Sequence, residues 1–163
     1  MLSMLGHVAA QALAADVGPV ALASSEPRAP SIADGLGVGL ISDGGLPWNE
    51  GLVHALGRLS SLPESVLFLA GDLPLVTADE IRTLAAAIPA AGVAIGRAHD
   101  GGTNALGLRP ADAVVPAFGE AQSARAHAAR AEQAGLTVAV VDLPGIALDV
   151  DTPADAARAR LSA

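Results

Sequence analysis

The stretch that decides the predicted fold is Ser65-Val-Leu-Phe-Leu-Ala70, followed directly by Gly71-Asp-Leu-Pro-Leu-Val-Thr77. Its first part is a continuous apolar run, the pattern of a central parallel strand that is buried on both faces. Thr77 and Glu80 have the spacing of a capping box, which predicts a helix directly after the loop. The stretch therefore predicts a buried strand, a loop that carries Asp72, and a helix.

Apolar periodicity extends this pattern over the rest of the 163 residues. It predicts further helices over residues 2–15, 49–59 and 123–134 and after Thr152-Pro153, and strands within residues 17–24, 37–42, 92–95, 103–108, 136–141 and 146–150. Residues 26–30 are expected to form a loop. Strands and helices of these lengths in alternation favour one α/β domain over residues 1–163, with a doubly wound, mostly parallel sheet.

Composition limits the classes of partner. Nine arginines and no lysine stand against 17 acidic residues, so the net charge is −8. This charge disfavours binding to nucleic acids and to anionic membrane surfaces. A phosphorylated ligand would have to be bound by Arg, by backbone amides or through a metal ion. Because the sequence has no cysteine, disulfides, thiolate catalysis and Cys-based zinc sites are excluded.

The first 15 residues are apolar, but they lack the positively charged region of a signal peptide. They are also too few to span a bilayer. We therefore expect a packed amphipathic helix there, no membrane partner, and a cytoplasmic protein.

Three aspartates are the residues best placed for chemistry. Asp72 follows the buried strand at its carboxyl end, where open α/β sheets place their ligand crevice. Asp149 and Asp151 flank one residue of an extended segment, so their side chains share a face, with Cα atoms roughly 6.5 Å apart. Carboxylates this close favour a shared Mg²⁺. Alternatively, Asp151 helps to cap the last helix and Asp149 is solvated, and the residues alone leave these two interpretations level.

Other polar motifs are less specific. The four histidines show no zinc-binding spacing, so core or surface packing is the expectation for each. Ser123 and His127 are four residues apart on a predicted helix and could touch, but no third group completes a catalytic triad. Gly101-Gly-Thr-Asn104 could form a backbone nest for an anion or a plain hairpin turn. Asn49 could contact a nucleobase edge, but we favour a role as N-cap of the following helix.

Five pieces of sequence stand in one order along the chain: Gly71-Asp-Leu-Pro-Leu-Val-Thr77, Gly102-Thr-Asn-Ala-Leu106, Phe118-Gly119, Ser123-x-x-x-His127 and Leu148-Asp-Val-Asp-Thr-Pro153. Together they resemble the 2-phospho-L-lactate guanylyltransferase family, and the resemblance covers nearly the whole chain. It implies a three-layer nucleotidyltransferase fold of the glycosyltransferase-A type. It also implies transfer of GMP from GTP to 2-phospho-L-lactate or phosphoenolpyruvate, in the biosynthesis of the deazaflavin coenzyme F-420.

The resemblance further assigns roles to individual residues. The catalytic Mg²⁺ ligands, which would also tether the acceptor, are three aspartates: Asp72, Asp149 and Asp151. The acceptor, a small phosphorylated carboxylic acid, would be bound by three other residues: Thr103, Gly119 and Ser123. This chain has one extra residue between Gly119 and Ser123 relative to the family pattern. Asn49 would lie on the GTP side.

One part of the family pattern is missing from the sequence. The family begins with a strand and a basic loop that embrace the nucleotide triphosphate, and the segment from Met1 resembles the helix after that loop. We therefore expect this chain to bind the acceptor with Mg²⁺ but to be severely impaired in transferring GMP. Two other functions are the alternatives: a sugar-phosphate or molybdopterin nucleotidyltransferase, and a non-catalytic acceptor-binding protein.

Overall fold

The computed structural model describes residues 2–150, so Asp151 and the helix predicted after Thr152-Pro153 lie outside the described residues. Six helices and six strands follow one another within this range. The helices are α1 (Leu2–Ala15), α2 (Ala29–Leu36), α3 (Trp48–Gly57), α4 (Ala78–Ala86), α5 (Ser123–Gln133) and α6 (Pro144–Ala147). The strands are β1 (Ala21–Ala23), β2 (Gly39–Ile41), β3 (Val66–Leu69), β4 (Gly92–Arg97), β5 (Thr103–Arg109) and β6 (Thr137–Val141).

Four of the strands form the larger sheet, in the order β3-β5-β4-β6. β4 and β6 are parallel, whereas β5 is antiparallel to both β3 and β4. Three of these four strands therefore run in one direction and β5 runs against them. β1 and β2 form a separate parallel pair, which we call the small sheet. The predicted α/β class is confirmed.

Apolar side chains alternate between the two faces of the larger sheet. Val93 and Ile95 of β4 belong to a core cluster that includes Ala124 and Ala131 of α5. Ala94, which lies between them, belongs to a second cluster with residues of α1, α4 and α6. This alternation is typical of a strand covered on both faces. The larger sheet is thus the middle of three layers.

β3 differs from its prediction, a central parallel strand buried on both faces, in its pairing, which is antiparallel, and in its burial. Within the described residues it pairs only with β5, and all four of its residues are partly rather than fully buried. The predicted burial on both faces of a central strand is therefore wrong. An edge strand lacks a neighbour on one side, so its side chains are shielded less completely than those of a central strand.

Two short helices also differ from the prediction. α2 begins inside the predicted loop, and the signals that identify it are Pro30 in its first turn and Gly37, with φ of 69°, after its end. α6 contains Ile146, where the sequence predicts extended chain, and begins at Pro144. The other predicted elements within residues 2–150 are confirmed to within a few residues. In that range, no helix has the length and apolar character needed to cross a membrane.

Candidate active site

Two of the predicted site residues, Asp72 and Thr103, lie at one edge of the larger sheet. β3 and β4 run in the same direction, and β5 begins where they end: Leu69 pairs with Ala105. Arg97, the last residue of β4, pairs with Thr103, the first residue of β5. Asp72 follows the end of β3 by three residues. Asp72 and Thr103 are therefore both at the edge where open α/β sheets bind their ligands.

Asn104 ties both aspartate-bearing segments to this edge. Its backbone carbonyl accepts a hydrogen bond from the amide of Ala70 (2.9 Å), which lies two residues before Asp72. Its side-chain amide donates to the carbonyl of Ile146 (2.8 Å), which lies three residues before Asp149. Asn104 is buried, so water does not compete for these bonds. The sequence gives no sign of this role, because Asn104 looks there like part of a turn.

A second polar link holds the segment that leads to Asp149. The carboxylate of Glu80 accepts hydrogen bonds from the backbone amides of Gly145 (2.7 Å) and Thr77 (3.0 Å). The predicted capping box of α4 is thus present, and it also holds the first turn of α6. A Cβ atom at position 145 would lie 2.3 Å from both the Leu75 carbonyl oxygen and the Glu80 carboxylate. This close approach requires glycine.

Asp149 lies beside a histidine that sequence reasoning did not connect with it. The carboxylate of Asp149 is 18% exposed, and its Oδ1 is 3.8 Å from Nδ1 of His99. His99 follows β4, and its backbone amide donates to the carbonyl of Ala147 (2.9 Å). The two residues are far apart in the chain and no motif links them, so only the fold reveals their proximity.

The predicted metal ligands fall partly outside the described range. Asp151 is not among residues 2–150, so the trio of Mg²⁺ ligands stays a prediction. Within these residues, no three or more His, Asp or Glu side chains are grouped so that they could hold a metal ion together. Two members of the trio, Asp72 and Asp149, belong to the described range and lie on segments that Asn104 connects.

A cleft of about 390 Å³ opens beside His99. Its wall carries a positive charge from Arg97 and negative charges from Asp100 and Asp142. The guanidinium of Arg97 donates two hydrogen bonds to the carboxylate of Asp142 (3.0 and 2.9 Å). Among the described residues Arg97 is the one arginine that lines the cleft, and this ion pair partly neutralises its charge.

Thr103 and His127 form a buried pair. Oγ1 of Thr103 lies 3.0 Å from Nδ1 of His127, and Nε2 of His127 accepts a hydrogen bond from the amide of Ala117 (2.8 Å). Burial lowers the pKa of His127 to about 4, and the positive charge of Arg130 acts in the same direction. The imidazole is therefore neutral at pH 7. Core packing, one of the two expectations for the histidines, is confirmed for His127, which is 0% exposed.

The loop from β5 to α5 carries Gly119 and leads to Ser123. Gly119 has φ of 75°, within a turn that the amide of Glu120 closes on the carbonyl of Ala117 (3.3 Å). Glycine adopts this left-handed conformation without strain. Ser123 is the first residue of α5 and is 1% exposed. The fold thus places both predicted acceptor residues in the segment that also holds His127.

Arg130 fixes this loop to α5. Its guanidinium donates to the carbonyls of Val115 and Pro116 (2.8 Å each) and to the carboxylate of Glu120 (2.7 Å). Such charge-assisted bonds are stronger than those between neutral groups. Arg130 therefore stabilises the conformation of the loop around Gly119.

Asn49 makes a contact that neither of its sequence interpretations foresaw. The N-cap of α3 is Pro47, without a side-chain hydrogen bond, so the predicted N-cap role of Asn49 is wrong. The helix begins one residue earlier, at Trp48, and Asn49 lies inside its first turn. Its side chain donates to the carbonyl of Phe118 (3.0 Å) and accepts from the amide of Phe118 (2.8 Å). The nucleotide role of Asn49 stays a prediction.

The connection between β4 and β5 is a hairpin turn. The amide of Gly101 donates to the carbonyl of Ala98 (3.1 Å), and the amide of Gly102 donates to the carboxylate of Asp100 (2.8 Å). Both amides that a nest would offer to an anion are thus used within the turn. Of the two interpretations of this glycine pair, the hairpin turn is the one observed.

Known proteins of similar sequence identify the family of this chain. The chain matches the MobA-like NTP transferase domain family over residues 2–117. It is similar to the phosphoenolpyruvate guanylyltransferase of Sphaerobacter thermophilus, with 42% identity over 160 residues, which cover 95% of this chain and 76% of the relative. It is also similar to the 2-phospho-L-lactate guanylyltransferase of Halobacterium salinarum, with 42% identity over 94 residues, which cover 58% of this chain and 42% of the relative.

A solved structure shares the fold. It is a nucleotidyl transferase from Methanothermobacter that superposes with a TM-score of 0.72 and covers 98% of this chain and 79% of its own. The sequences are 18% identical, so this similarity concerns the fold alone. A nucleotidyltransferase fold with a mixed sheet is therefore established for the described residues.

Proposed function

We propose that this chain, which belongs to the family of phosphoenolpyruvate and 2-phospho-L-lactate guanylyltransferases, transfers GMP from GTP to one of these phosphorylated acids and releases pyrophosphate. That the protein is a nucleotidyltransferase follows from its family. The proposal concerns its nucleotide, its acceptor and its metal. The observation that carries it is the meeting of Asp72, Thr103 and the Asp149 segment at one sheet edge, through Asn104.

The chemistry of the carboxylates fits a magnesium ion. Mg²⁺ prefers oxygen ligands and is commonly held by one or two carboxylates together with substrate phosphates. Asp72 and Asp149 would supply such oxygens, with Asp151 as the third ligand. Bound there, Mg²⁺ supplies positive charge that offsets the repulsion between two anionic substrates and helps to orient the acceptor.

The residues of the chain bind and orient the acceptor. Thr103 offers a hydroxyl at the sheet edge, and the loop with Gly119 and Ser123 lies next to it. A phosphate oxygen of the acceptor attacks the α-phosphorus of GTP, a new P–O bond forms, and the bond to the departing pyrophosphate breaks. A phosphate oxygen is already ionised at pH 7, so this step needs no general base and no protein nucleophile. Catalysis is then positioning and charge neutralisation.

The cell biology proposed for the protein follows from the same family. The product would be an intermediate in the biosynthesis of coenzyme F-420, made in the cytoplasm.

Asn49 would lie on the nucleotide side. Its side chain also connects α3 to Phe118, in the loop that carries Gly119.

The test is an assay of pyrophosphate release from GTP with Mg²⁺. Phosphoenolpyruvate and 2-phospho-L-lactate are offered separately as acceptors, and mannose 1-phosphate serves as a sugar-phosphate comparison. We expect turnover with at least one of the two acids, at the severely impaired rate expected from the sequence, and none after removal of the metal by EDTA.

Variants make this assay specific to the proposed site. Asp149→Asn should lower turnover by at least about 100-fold, since even the partners of metal ligands are worth 10- to 100-fold. Asp34→Asn, an exposed residue on α2, is the matched control and should retain the rate. Turnover with the sugar phosphate alone would reject the proposed acceptor class. Acceptor binding without any pyrophosphate release would reject the transfer reaction for this chain.

A further inference from the structure

The two ring nitrogens of His127 have different hydrogen-bond roles. Nε2 lies 2.8 Å from the backbone amide of Ala117, which can only donate, so Nε2 must be the acceptor. In a neutral imidazole the other nitrogen then carries the proton. Nδ1–H therefore donates to Oγ1 of Thr103, 3.0 Å away.

This assignment fixes what the Thr103 hydroxyl can do. A threonine hydroxyl has one hydrogen to donate and two lone pairs to accept with. Because Oγ1 accepts from His127, its own hydrogen is left to point elsewhere. Thr103 begins β5 at the sheet edge that carries the site and is 6% exposed, so its rotation is restricted by packing.

The surroundings of His127 keep the ring in this state. The ring packs edge-on against Phe118, with 5.4 Å between centroids, and Phe118 stacks on Trp48 at 5.1 Å. The ring is fully buried, and burial disfavours the charged imidazolium. A second proton on Nε2 would also face the N–H of Ala117. The neutral form with the proton on Nδ1 is thus the one that the packing supports.

We propose that His127 is a positioning residue, which directs the Thr103 hydroxyl so that its hydrogen is donated to an oxygen of the acceptor. The inference rests on the proposed function, because it takes a phosphorylated acid as the ligand at Thr103. His127 does not contact the ligand itself. By donating to Oγ1, it fixes the direction in which the hydroxyl hydrogen of Thr103 points. A hydroxyl that is oriented before binding loses less entropy when the acceptor binds.

The test separates the two nitrogens of His127 with two variants. In His127→Asn the amide takes the place of Nδ1 and can still donate to Thr103, but the bond to Ala117 is lost. In His127→Gln the amide takes the place of Nε2 and can accept from Ala117, but the donor to Thr103 is lost. Binding of phosphoenolpyruvate and of 2-phospho-L-lactate, each with Mg²⁺, is measured by titration calorimetry at pH 7.5.

We expect His127→Gln to weaken acceptor binding by about tenfold, the worth of one well-placed hydrogen bond. His127→Asn should bind within about threefold of the unsubstituted protein. In a Thr103→Val background, His127→Gln should cause no further loss, since the hydroxyl that it directs is gone. Equal losses in the Asn and Gln variants, or additive losses in the double variant, would overturn the inference.

A measurement on the unsubstituted protein keeps the test valid if a variant does not fold. Nitrogen-15 NMR of the imidazole should show a proton on Nδ1 and none on Nε2 at pH 7. Saturation with the acceptor should shift the Nδ1–H resonance of His127. A proton on Nε2, or an unshifted resonance with bound acceptor, would overturn the inference alone. Failure of the unsubstituted protein to bind either acid would overturn the proposed acceptor and the inference together.

Discussion

The two inner strands of the larger sheet, β4 and β5, differ sharply from the small sheet in how they are covered. The outer strands β3 and β6, like the small sheet, contain no fully buried residue. Five of the six residues of β4 and six of the seven of β5 are buried, whereas β1 and β2 contain none that is fully buried. The larger sheet carries Thr103 and Asn104 and is linked by hydrogen bonds to the Asp149 segment. The small sheet ends in loops rich in serine and glycine, such as Ser24-Ser25 and Ser42-Asp-Gly-Gly45.

This contrast shows that one part of the candidate site, the predicted acceptor and metal residues, depends on the packing of the core. Predicted acceptor and metal residues depend on buried hydrogen bonds, so their geometry is set when the larger sheet packs. The loops of the small sheet are held mainly by exposed side-chain contacts, such as Ser25 with Ser42 (2.8 Å). We expect the stability of the protein to lie mostly in the larger sheet, and four changes test this contrast.

The largest effect should come from one substitution made in both sheets. Leu106→Ala in β5 removes a side chain that is 0% exposed and should cost about 2–5 kcal/mol in the free energy of unfolding. Leu40→Ala in β2 removes one that is 40% exposed and should cost less than about 1 kcal/mol. Urea unfolding of both variants measures the difference. Similar costs would show that the small sheet is as much a part of the core as the larger one.

The next effect is a pH dependence from His127 in the layer behind the larger sheet. Its pKa is about 4 in the folded protein, because of burial and then Arg130, and about 6.5 when unfolded. The unfolded chain therefore binds the proton first as the pH falls. The contribution of the neutral His127 to the free energy of unfolding is fully present above pH 6.5. It is lost progressively towards pH 4, by about 3 kcal/mol at 1.36 kcal/mol per pKa unit.

Unfolding by urea at a series of pH values, with the protein and its His127→Gln variant, measures this term. Between pH 6.5 and 4 the free energy of unfolding should fall less steeply in the variant, because it has no imidazole to protonate at this position. Parallel curves would mean that His127 does not contribute to the acid sensitivity of the fold.

A smaller effect should follow from a methyl group added at two glycines. Gly145→Ala places a Cβ 2.3 Å from the Leu75 carbonyl oxygen and should cost about 1–3 kcal/mol, because α6 must shift. Gly39→Ala in β2 places it 3.4 Å from the Cβ of Ala21, an ordinary contact, and should leave stability within about 0.5 kcal/mol. Thermal unfolding compares the two, and equal melting temperatures would contradict the close approach at Gly145.

The smallest effect should come from Asp43 beyond β2. Hydrogen bonds from Ser25 and then from the amide of Gly45 lower the pKa of this carboxyl below 3.8. Its contribution is therefore present above pH 3.8 and lost as the pH falls through the folded value. Solvent screens this mostly exposed group, so Asp43→Asn should change stability by less than about 0.5 kcal/mol at pH 7. A loss as large as that expected from His127 would abolish the contrast between the sheets.

Local sequence signals predicted most of the elements but not their neighbours. The capping box at Thr77 and Glu80 identified α4, because a cap depends on residues three positions apart. The apolar run at Val66–Leu69 identified β3, but a run of this kind does not reveal which strands lie on either side. Its place as an outer strand among residues 2–150, and hence its partial exposure, follows from its pairing with β5 alone, a strand almost 40 residues later in the chain.

The candidate site shows the same division. Asp72 was predictable from its place after an apolar strand, and Thr103 and Asp149 from the resemblance to a family. The roles of Asn104 and His99 in the site, and the hydrogen bonds of Asn49 to Phe118, were not predictable, since the partners of these residues lie more than 30 positions away. No local pattern encodes such distances.

The sequence by itself determined the α/β class, most of the elements and the residue types present at the candidate site. It could do so because periodicity, caps and charge act over a few residues or over the whole composition. Only the tertiary structure decided that Asn104 joins two aspartate segments and that the proton of His127 is on Nδ1. The reason is that a hydrogen-bond role depends on which groups converge in a buried space, and packing alone brings those groups together.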